Sequence, residues 1–459
     1  MRNLIFMGFI FLLPFIVNSQ TLQVSPDGHR LVNEDNSVFF YMADTGWEFF
    51  HRCTKEESEM YLKDRKEKGF NVIQAVVLAE IDGLNTPNAK GNKPLINNDP
   101  LKPNEAYFEH VDWVIRKAEE LGIYIAVLPT WGDKWRKQWG KGPVIFDTAD
   151  KARGYGKWLG ERYKNQPNII WIMGGDRNPD NEMHIQINRA MAEGIKEGDD
   201  GKHLMSYHPG GGNSSSNWFH NDKWLDFNML QTGHSTINHL VYKEVNRDYN
   251  LKPVKPCLNG EPQYEDISVG FSALNERFVA FDARQAAYWS VLGGAMGHTY
   301  GNNNIWQMWT EKSSPILYAR IPWYEAIHQP GGLQMGYVRR LFESRPFLKM
   351  VPDQTILADV YGQDKNEIRA AGGSDKSFVI VYTPYGNPIH LNLEKLNANT
   401  LNGYWYNPRE ALSQKIESFE NTQKVMAFTP PSSGARTDWV LVLDDKQKNY
   451  PDPATIKMK

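Results

Sequence analysis

From residue 39 to about residue 345 the chain repeats one pattern, a short uninterrupted apolar run followed by a longer stretch of helical periodicity, and this repetition admits few folds. The runs Phe39–Met42, Val72–Leu78, Ile123–Leu128, Ile169–Met173, Leu204–Tyr207, Phe227–Leu230, Val254–Leu258 and Gly293–Tyr300 predict eight strands. Being apolar throughout, they suit a parallel sheet covered on both faces. Between them, Thr54-Lys55-Glu56-Glu57 is a capping-box sequence ahead of Met60, Tyr61 and Leu62. Phe108, Val111, Ile115 and Ala118 share one helix face that Gly122 ends, and Asp147 is placed to cap a third helix carrying Trp158, Leu159 and Tyr163. Eight such units predict an α/β fold, a (β/α)8 TIM barrel. The doubly wound alternative lacks its GxGxxG after the first strand, and the connections that follow the strands are long, as in a barrel.

Beyond residue 349 the pattern changes. Ile356–Val360, Ile368–Ala371, Ser377–Tyr382, His390–Leu393, Gly403–Tyr406, Val425–Phe428 and Trp439–Leu443 are short runs separated by turn residues, which predicts an all-β sandwich over residues 350–459. At the other end Leu22–Val24, a Pro26-Asp27-Gly28 turn and Arg30–Asn33 predict a hairpin plugging the N-terminal face of a barrel domain over residues 20–349. Residues 1–19, with Arg2 ahead of an apolar run from Leu4 to Val17, read as a cleavable signal peptide. A periplasmic or secreted protein, off the membrane once cleaved, is therefore expected. Cys53 and Cys257 are too few for a disulfide framework and read as buried thiols. Neither CxxC nor HExxH occurs, so no metal and no cofactor is expected. Lys and Arg number 51 against 54 Asp and Glu, a net charge of −3 that offers no footprint for nucleic acid.

In such a barrel the active site lies where the strands end. The residues there are Asp44, Thr45 and Trp47; Gln74 and Glu80; Thr130, Trp131, Asp133 and Trp135; Asp176 and Arg177; Tyr207 and His208; Gln231 and His234; Glu261; and His298, Tyr300, Asn303 and Trp306. Asp176 closes the run Asn168 to Gly175 and Glu261 closes Pro256 to Gly260, so predicted strands four and seven deliver two carboxyls from opposite sides of the mouth. Glycosidic cleavage needs such a pair, one carboxyl protonated to assist the leaving oxygen and one ionised to attack the anomeric carbon or activate water. Separations of about 5–5.5 Å give retention and about 6.5–9.5 Å inversion. The histidines His51, His208, His234 and His298 fit sugar ligands, proton carriers or satisfied core residues. Of 15 tryptophans, Trp47, Trp131, Trp135, Trp139, Trp218, Trp224, Trp306 and Trp309 fall in loops after strands, where indoles stack on the apolar faces of sugars or pack the loops together.

The segment Tyr163 to Asp176 resembles the strand-four signature of retaining barrel glycosidases, with Gly175-Asp176 standing where the large clan has Asn-Glu. The chain as a whole resembles the apiosidase-like glycoside hydrolases, family 140, which carry a C-terminal domain labelled collagen-binding. The matching stretches are Met42-Ala43-Asp44-Thr45-Gly46-Trp47, Gly174-Gly175-Asp176, Asn259-Gly260-Glu261-Pro262 with Tyr264-Glu265, and Gly297-His298-Thr299-Tyr300-Gly301. This resemblance implies an exo-acting, retaining enzyme that releases terminal apiose from a pectic side chain such as rhamnogalacturonan II. Asp176 is then the acid/base and Glu261 the nucleophile. Asp44, Trp47, Gln74, Trp131, Tyr207, His208, Gln231, His298, Tyr300 and Trp306 are the expected substrate-binding residues, the partner is a plant cell-wall oligosaccharide, and a monomer is expected. The alternatives are an arabinofuranosidase or an endo-acting glucanase or mannanase on the same barrel, or a carbohydrate-binding protein without catalysis. Loops 79–104 and 208–224 are expected to close an exo pocket.

Overall fold

The computed structural model describes residues 21–359 and 364–456; the expected signal peptide and Val360 lie outside them. The barrel strands are β1 (Tyr41–Thr45), β2 (Val72–Leu78), β3 (Tyr124–Thr130), β4 (Ile169–Gly174), β5 (Met205–His208), β6 (Asn228–Gln231), β7 (Cys257–Glu261) and β8 (Gly297–Tyr300). Each is followed by a helix: α1 (Lys55–Glu67), α2 (Glu105–Glu120), α3 (Ala149–Tyr163), α4 (Glu182–Gly198), the single turn α5 (Ser216–Phe219), α6 (Tyr242–Tyr249), α7 (Ala280–Leu292) and α8 (Pro330–Glu343). Six strands form one parallel sheet in the order β8-β1-β2-β3-β4-β5, and β6 and β7 form a parallel pair. The two seams between these sheets are crossed by Asp226 N–H donating to the Met205 carbonyl (2.8 Å) and Met296 N–H to that of Cys257 (2.9 Å). The barrel is thus closed by isolated bonds where its ladders stop.

Side-chain alternation sorts the strands into two layers. Ala43, Val72, Val76, Ile170, Ile172 and Leu258 fill the barrel interior, while Ile73, Val77, Trp171 and Met173 pack against the helices outside. The expected capping box forms: Thr54 Oγ1 accepts from Glu57 N–H, and the Glu57 carboxylate accepts from Thr54 N–H. The third helix is capped by Thr148 rather than Asp147, its side chain accepting from Lys151 N–H. Phe39 is not in the first barrel strand. It belongs to a small antiparallel sheet with Gln23–Val24 and Leu31–Val32, which puts Leu22, Leu31 and Phe39 into the barrel floor. The eighth strand starts at Gly297, because Gly293 ends α7.

The C-terminal region holds β9 (Met350–Pro352), β10 (Arg369–Gly373), β11 (Phe378–Thr383), β12 (Ile389–Asn392), β13 (Thr400–Asn407), β14 (Leu412–Glu420), β15 (Val425–Phe428) and β16 (Trp439–Asp445). The order β9-β10-β11-β16-β13-β14 makes one antiparallel sheet, and β12-β15 a second layer. Along β11, Phe378, Ile380 and Tyr382 face α7 and α8, whereas Val379 and Val381 face β12 and β15. The predicted strand at Ile356 is instead a 3-10 turn ending at Ile356, with a lone bridge from Leu357 to Leu391.

Candidate active site

Loops after all eight barrel strands line one cavity of about 660 Å³ at the C-terminal end of the barrel. Trp47, Glu80, Trp131 and Trp139, Asp176, and Gly211 come from the first five; Gln231, His234 and His239, then Glu261, Tyr264 and Phe271, then Trp306, Ile316 and Leu317 complete the wall.

Two local irregularities aim the carboxyls into this space. In β7 the register against β6 runs Leu230 to Asn259 and then Gln231 to Glu261, so Gly260 is an extra residue, a β-bulge. Leu258 points inward, and regular alternation would turn Glu261 outward; the bulge restores it to the mouth. At the end of β4, Gly174, Gly175 and Asp176 hold successive left-handed conformations, with φ of 91°, 85° and 55°. Aspartate tolerates that region better than most residues, and the turn leaves Asp176 N–H free to donate to His208 Nδ1 at 3.1 Å.

That bond fixes the chemistry of Glu261. With Nδ1 of His208 accepting, the proton of a neutral ring sits on Nε2, 3.1 Å from Glu261 Oε2 but too bent for a well-aligned hydrogen bond. His234 repeats the arrangement: its Nδ1 accepts from Tyr264 N–H (3.2 Å), and its Nε2 meets Glu261 Oε1 at 3.1 Å. Burial pushes Glu261 up, and the two imidazoles, His234 bonded to its Oε1 and His208 set close against its Oε2, outweigh burial and hold it below the usual carboxylate range. Asp176 is moved the other way, first by burial and then by the Glu261 charge, against the weaker opposing pull of His208, Arg177 and Gln231. Arg177 approaches Asp176 Oδ2 at 3.6 Å while stacking over the Trp139 ring at 3.8 Å. The two carboxyls are thereby pushed apart, Asp176 toward its protonated form and Glu261 toward its ionised form, the division that acid-assisted displacement requires.

The expected residues separate into three groups. Asp176, Glu261, Trp47, Trp131, Gln231 and Trp306 line the cavity. His208 lies behind both carboxyls, joined to each, with Trp47 edge-on at 5.2 Å. Asp44, Gln74, Tyr207, His298 and Tyr300 do not reach the cavity, and their expected contact with substrate is corrected. Asp44 is paired through the barrel register with Tyr300, and His298 with Met42, so all three face the helices. There Asp44 binds Tyr61 and Arg65, and Tyr300 donates to Glu265. Tyr207 points outward to Phe219 and donates to the Arg177 carbonyl. Gln74 points inward but too deep, donating to the Gly260 carbonyl.

Four of the eight candidate tryptophans, Trp47, Trp131, Trp139 and Trp306, line the cavity. Trp135 donates to the Gly174 carbonyl, Trp309 to that of Ser313, and Trp218 and Trp224 pack near Phe219. The walls come less from loops 79–104 and 208–224, which supply Glu80, Gly211 and Gly212, than from those after β6, β7 and β8. Glu80 and His234, named among the strand-end residues, and Tyr264, within a matching stretch, are not among the expected substrate-binding residues yet line the cavity; His234 stands three residues past β6. Among the described residues no three His, Cys, Asp or Glu side chains gather as a metal site, and Cys53 and Cys257 are unpaired and buried.

Comparison with known proteins agrees with this geometry. Residues 25–349 match the profile "Apiosidase-like, catalytic domain", and residues 351–444 match "Putative collagen-binding domain of a collagenase". A solved glycoside hydrolase shares 32% identity over 94% of this chain and 98% of its own, with a TM-score of 0.86. A glycoside hydrolase family 5 structure from Bacteroides vulgatus shares 31% identity over 96% of this chain and 97% of its own, with a TM-score of 0.87. No curated protein sequence matches the chain.

Proposed function

The chain belongs to the apiosidase-like family of glycoside hydrolases, and from this premise we propose that it is an exo-acting, retaining apiosidase, of the kind grouped as family 140, that removes terminal apiose from pectic side chains such as those of rhamnogalacturonan II. Asp176 protonates the glycosidic oxygen as Glu261 attacks the anomeric carbon. Water then attacks the glycosyl-enzyme with Asp176 as base. The observation that carries this reading is the opposed pair: Asp176 pushed up by burial and by Glu261, and Glu261 held down by two imidazoles. Exo action is the reading we favour for a cavity walled by loops from all eight strands. We further propose that the enzyme acts as a monomer outside the cytoplasm, and that the C-terminal sheets brace the barrel rather than bind collagen.

The test is the first sugar released from depolymerised pectin, identified chromatographically. Apiose is expected; arabinose or internal fragments overturn the assignment. Asp176→Asn and Glu261→Gln should each lower turnover by about a thousandfold or more. Trapping the reaction with methanol should give a methyl glycoside of retained configuration by NMR; an inverted product would replace the double displacement by a single one.

A further inference from the structure

A third carboxyl shares the cavity wall. Glu80, just beyond β2, lines the same space as Asp176, and among the described residues no group forms a hydrogen bond or ion pair with its side chain. Its surroundings are otherwise anionic: Glu48 after β1, Asp133 after β3 and Asp176 after β4 face it, with Arg177 the cation that offsets them. Lys134 is engaged with Asp133 and with the Ala79 carbonyl. Burial, and then the Asp176 charge, push the Glu80 carboxyl up to about 8. At neutral pH it therefore both donates and accepts, with no protein partner for either.

Glu80 lies on the acid's side of the cavity. The loops after β2, β3 and β4 are tied together there, Lys134 reaching Ala79 and Arg177 reaching the Trp139 carbonyl. Trp139 belongs to the same wall; it is 45% exposed, and its ring is braced by the Arg177 guanidinium. The group that departs when Asp176 gives up its proton must sit on this side, since the acid contacts the leaving oxygen. A partnerless carboxyl beside an exposed indole has the chemistry of a sugar site, hydroxyls on the one and the apolar C–H face on the other. Resting on the glycosidase reading above, we propose that Glu80 and Trp139 form a leaving-group subsite for a sugar ring, Glu80 hydrogen-bonding its hydroxyls and Trp139 stacking on it. The substrate is then an oligosaccharide, recognised beyond the sugar that is released.

The probe is rhamnogalacturonan II side-chain oligosaccharide stripped of its terminal sugar by mild acid, titrated calorimetrically into the whole protein, so that binding is read without turnover. Wild type should bind it, and Glu80→Ala and Trp139→Ala should each weaken binding at least tenfold. Glu80→Gln, which keeps a donor and an acceptor, should bind like wild type at pH 7 and, unlike wild type, should not weaken as pH rises to 9. Absence of binding by wild type, or unchanged binding in both alanine variants, overturns the subsite. Binding that behaves as expected in a protein that cleaves no pectic fragment overturns the catalytic reading and leaves the subsite standing.

Discussion

Two imidazoles hold Glu261 as an anion, each turning its Nε2 to the carboxylate because its Nδ1 is committed to a backbone N–H. Removing one donor should therefore move a pH limb rather than only a rate. In His234→Phe, Glu261 loses the partner of its Oε1 and its pKa rises, so the acid limb of kcat/KM should shift up by about one pH unit; an unmoved limb would deny His234 this positioning role. Asp176 carries the opposite sign. Its folded pKa is raised above the unfolded value, so its contribution to stability is fully present below the unfolded pKa and is lost as pH rises through the folded one. Asp176→Asn should accordingly melt higher than wild type at pH 8, by on the order of 1 kcal/mol, with the gain shrinking toward pH 4. At this scale the sequence was half legible. Asp176 and Glu261 stand out as acids at strand ends, but His298 and Tyr300 look equally placed until the barrel register turns them to the helices.

At the scale of the element, the strands were found but set early. The sequence runs end at Leu230 and Leu258, whereas β6 and β7 continue to Gln231 and Glu261, because the residues that serve the mouth are polar and fall outside an apolar pattern. The β7 bulge is invisible for a related reason: Gly260 reads as a turn residue, and only pairing with β6 reveals it as an insertion. The bulge can be tested directly. A Cβ on Gly260 would lie 2.5 Å from Met229 Cγ and Sδ, so Gly260→Ala should cost about 1–3 kcal/mol by overpacking and displace Glu261 from its imidazoles. Because the clash is with a flexible side chain, Met229→Ala in the same chain should recover activity even though it costs about 2–5 kcal/mol alone. A double variant whose losses simply add, in melting temperature and in turnover, would show that the bulge does not depend on this contact. The missed strand β14 has a plainer cause: Leu412 to Glu420 is largely exposed at a sheet edge and shows no apolar run.

At the scale of the whole molecule, the C-terminal sheet takes the place that solvent has around an ordinary barrel. Tyr288 of α7 stacks on Tyr382 at 4.7 Å, and Phe342 of α8 lies in the same core as Phe378 and Ile380. Arg30, from the N-terminal floor, donates to the carbonyls of Gly294 and Met350 and so joins floor, barrel and C-terminal sheet. Across the contact, buried Asp438 accepts two bonds from Arg284 (2.8 and 3.0 Å) and one from Tyr382 (3.1 Å), while Arg409 approaches it at 3.2 Å. Breaking a buried pair from one side strands the other charge, which costs about 3–5 kcal/mol. Asp438→Ala should therefore lower the melting temperature of barrel and sheet together, in one calorimetric transition, while the proton division between Asp176 and Glu261 is untouched at 25 °C. A chain ended at residue 349 should fare worse, since it exposes Tyr288, Trp289 and Phe342 at once, an apolar patch that drives self-association. Two well-separated transitions in the full chain, or a soluble and fully active truncated barrel, would instead make the sheet an independent passenger, and a binding role for it would then have to be sought on its own surface.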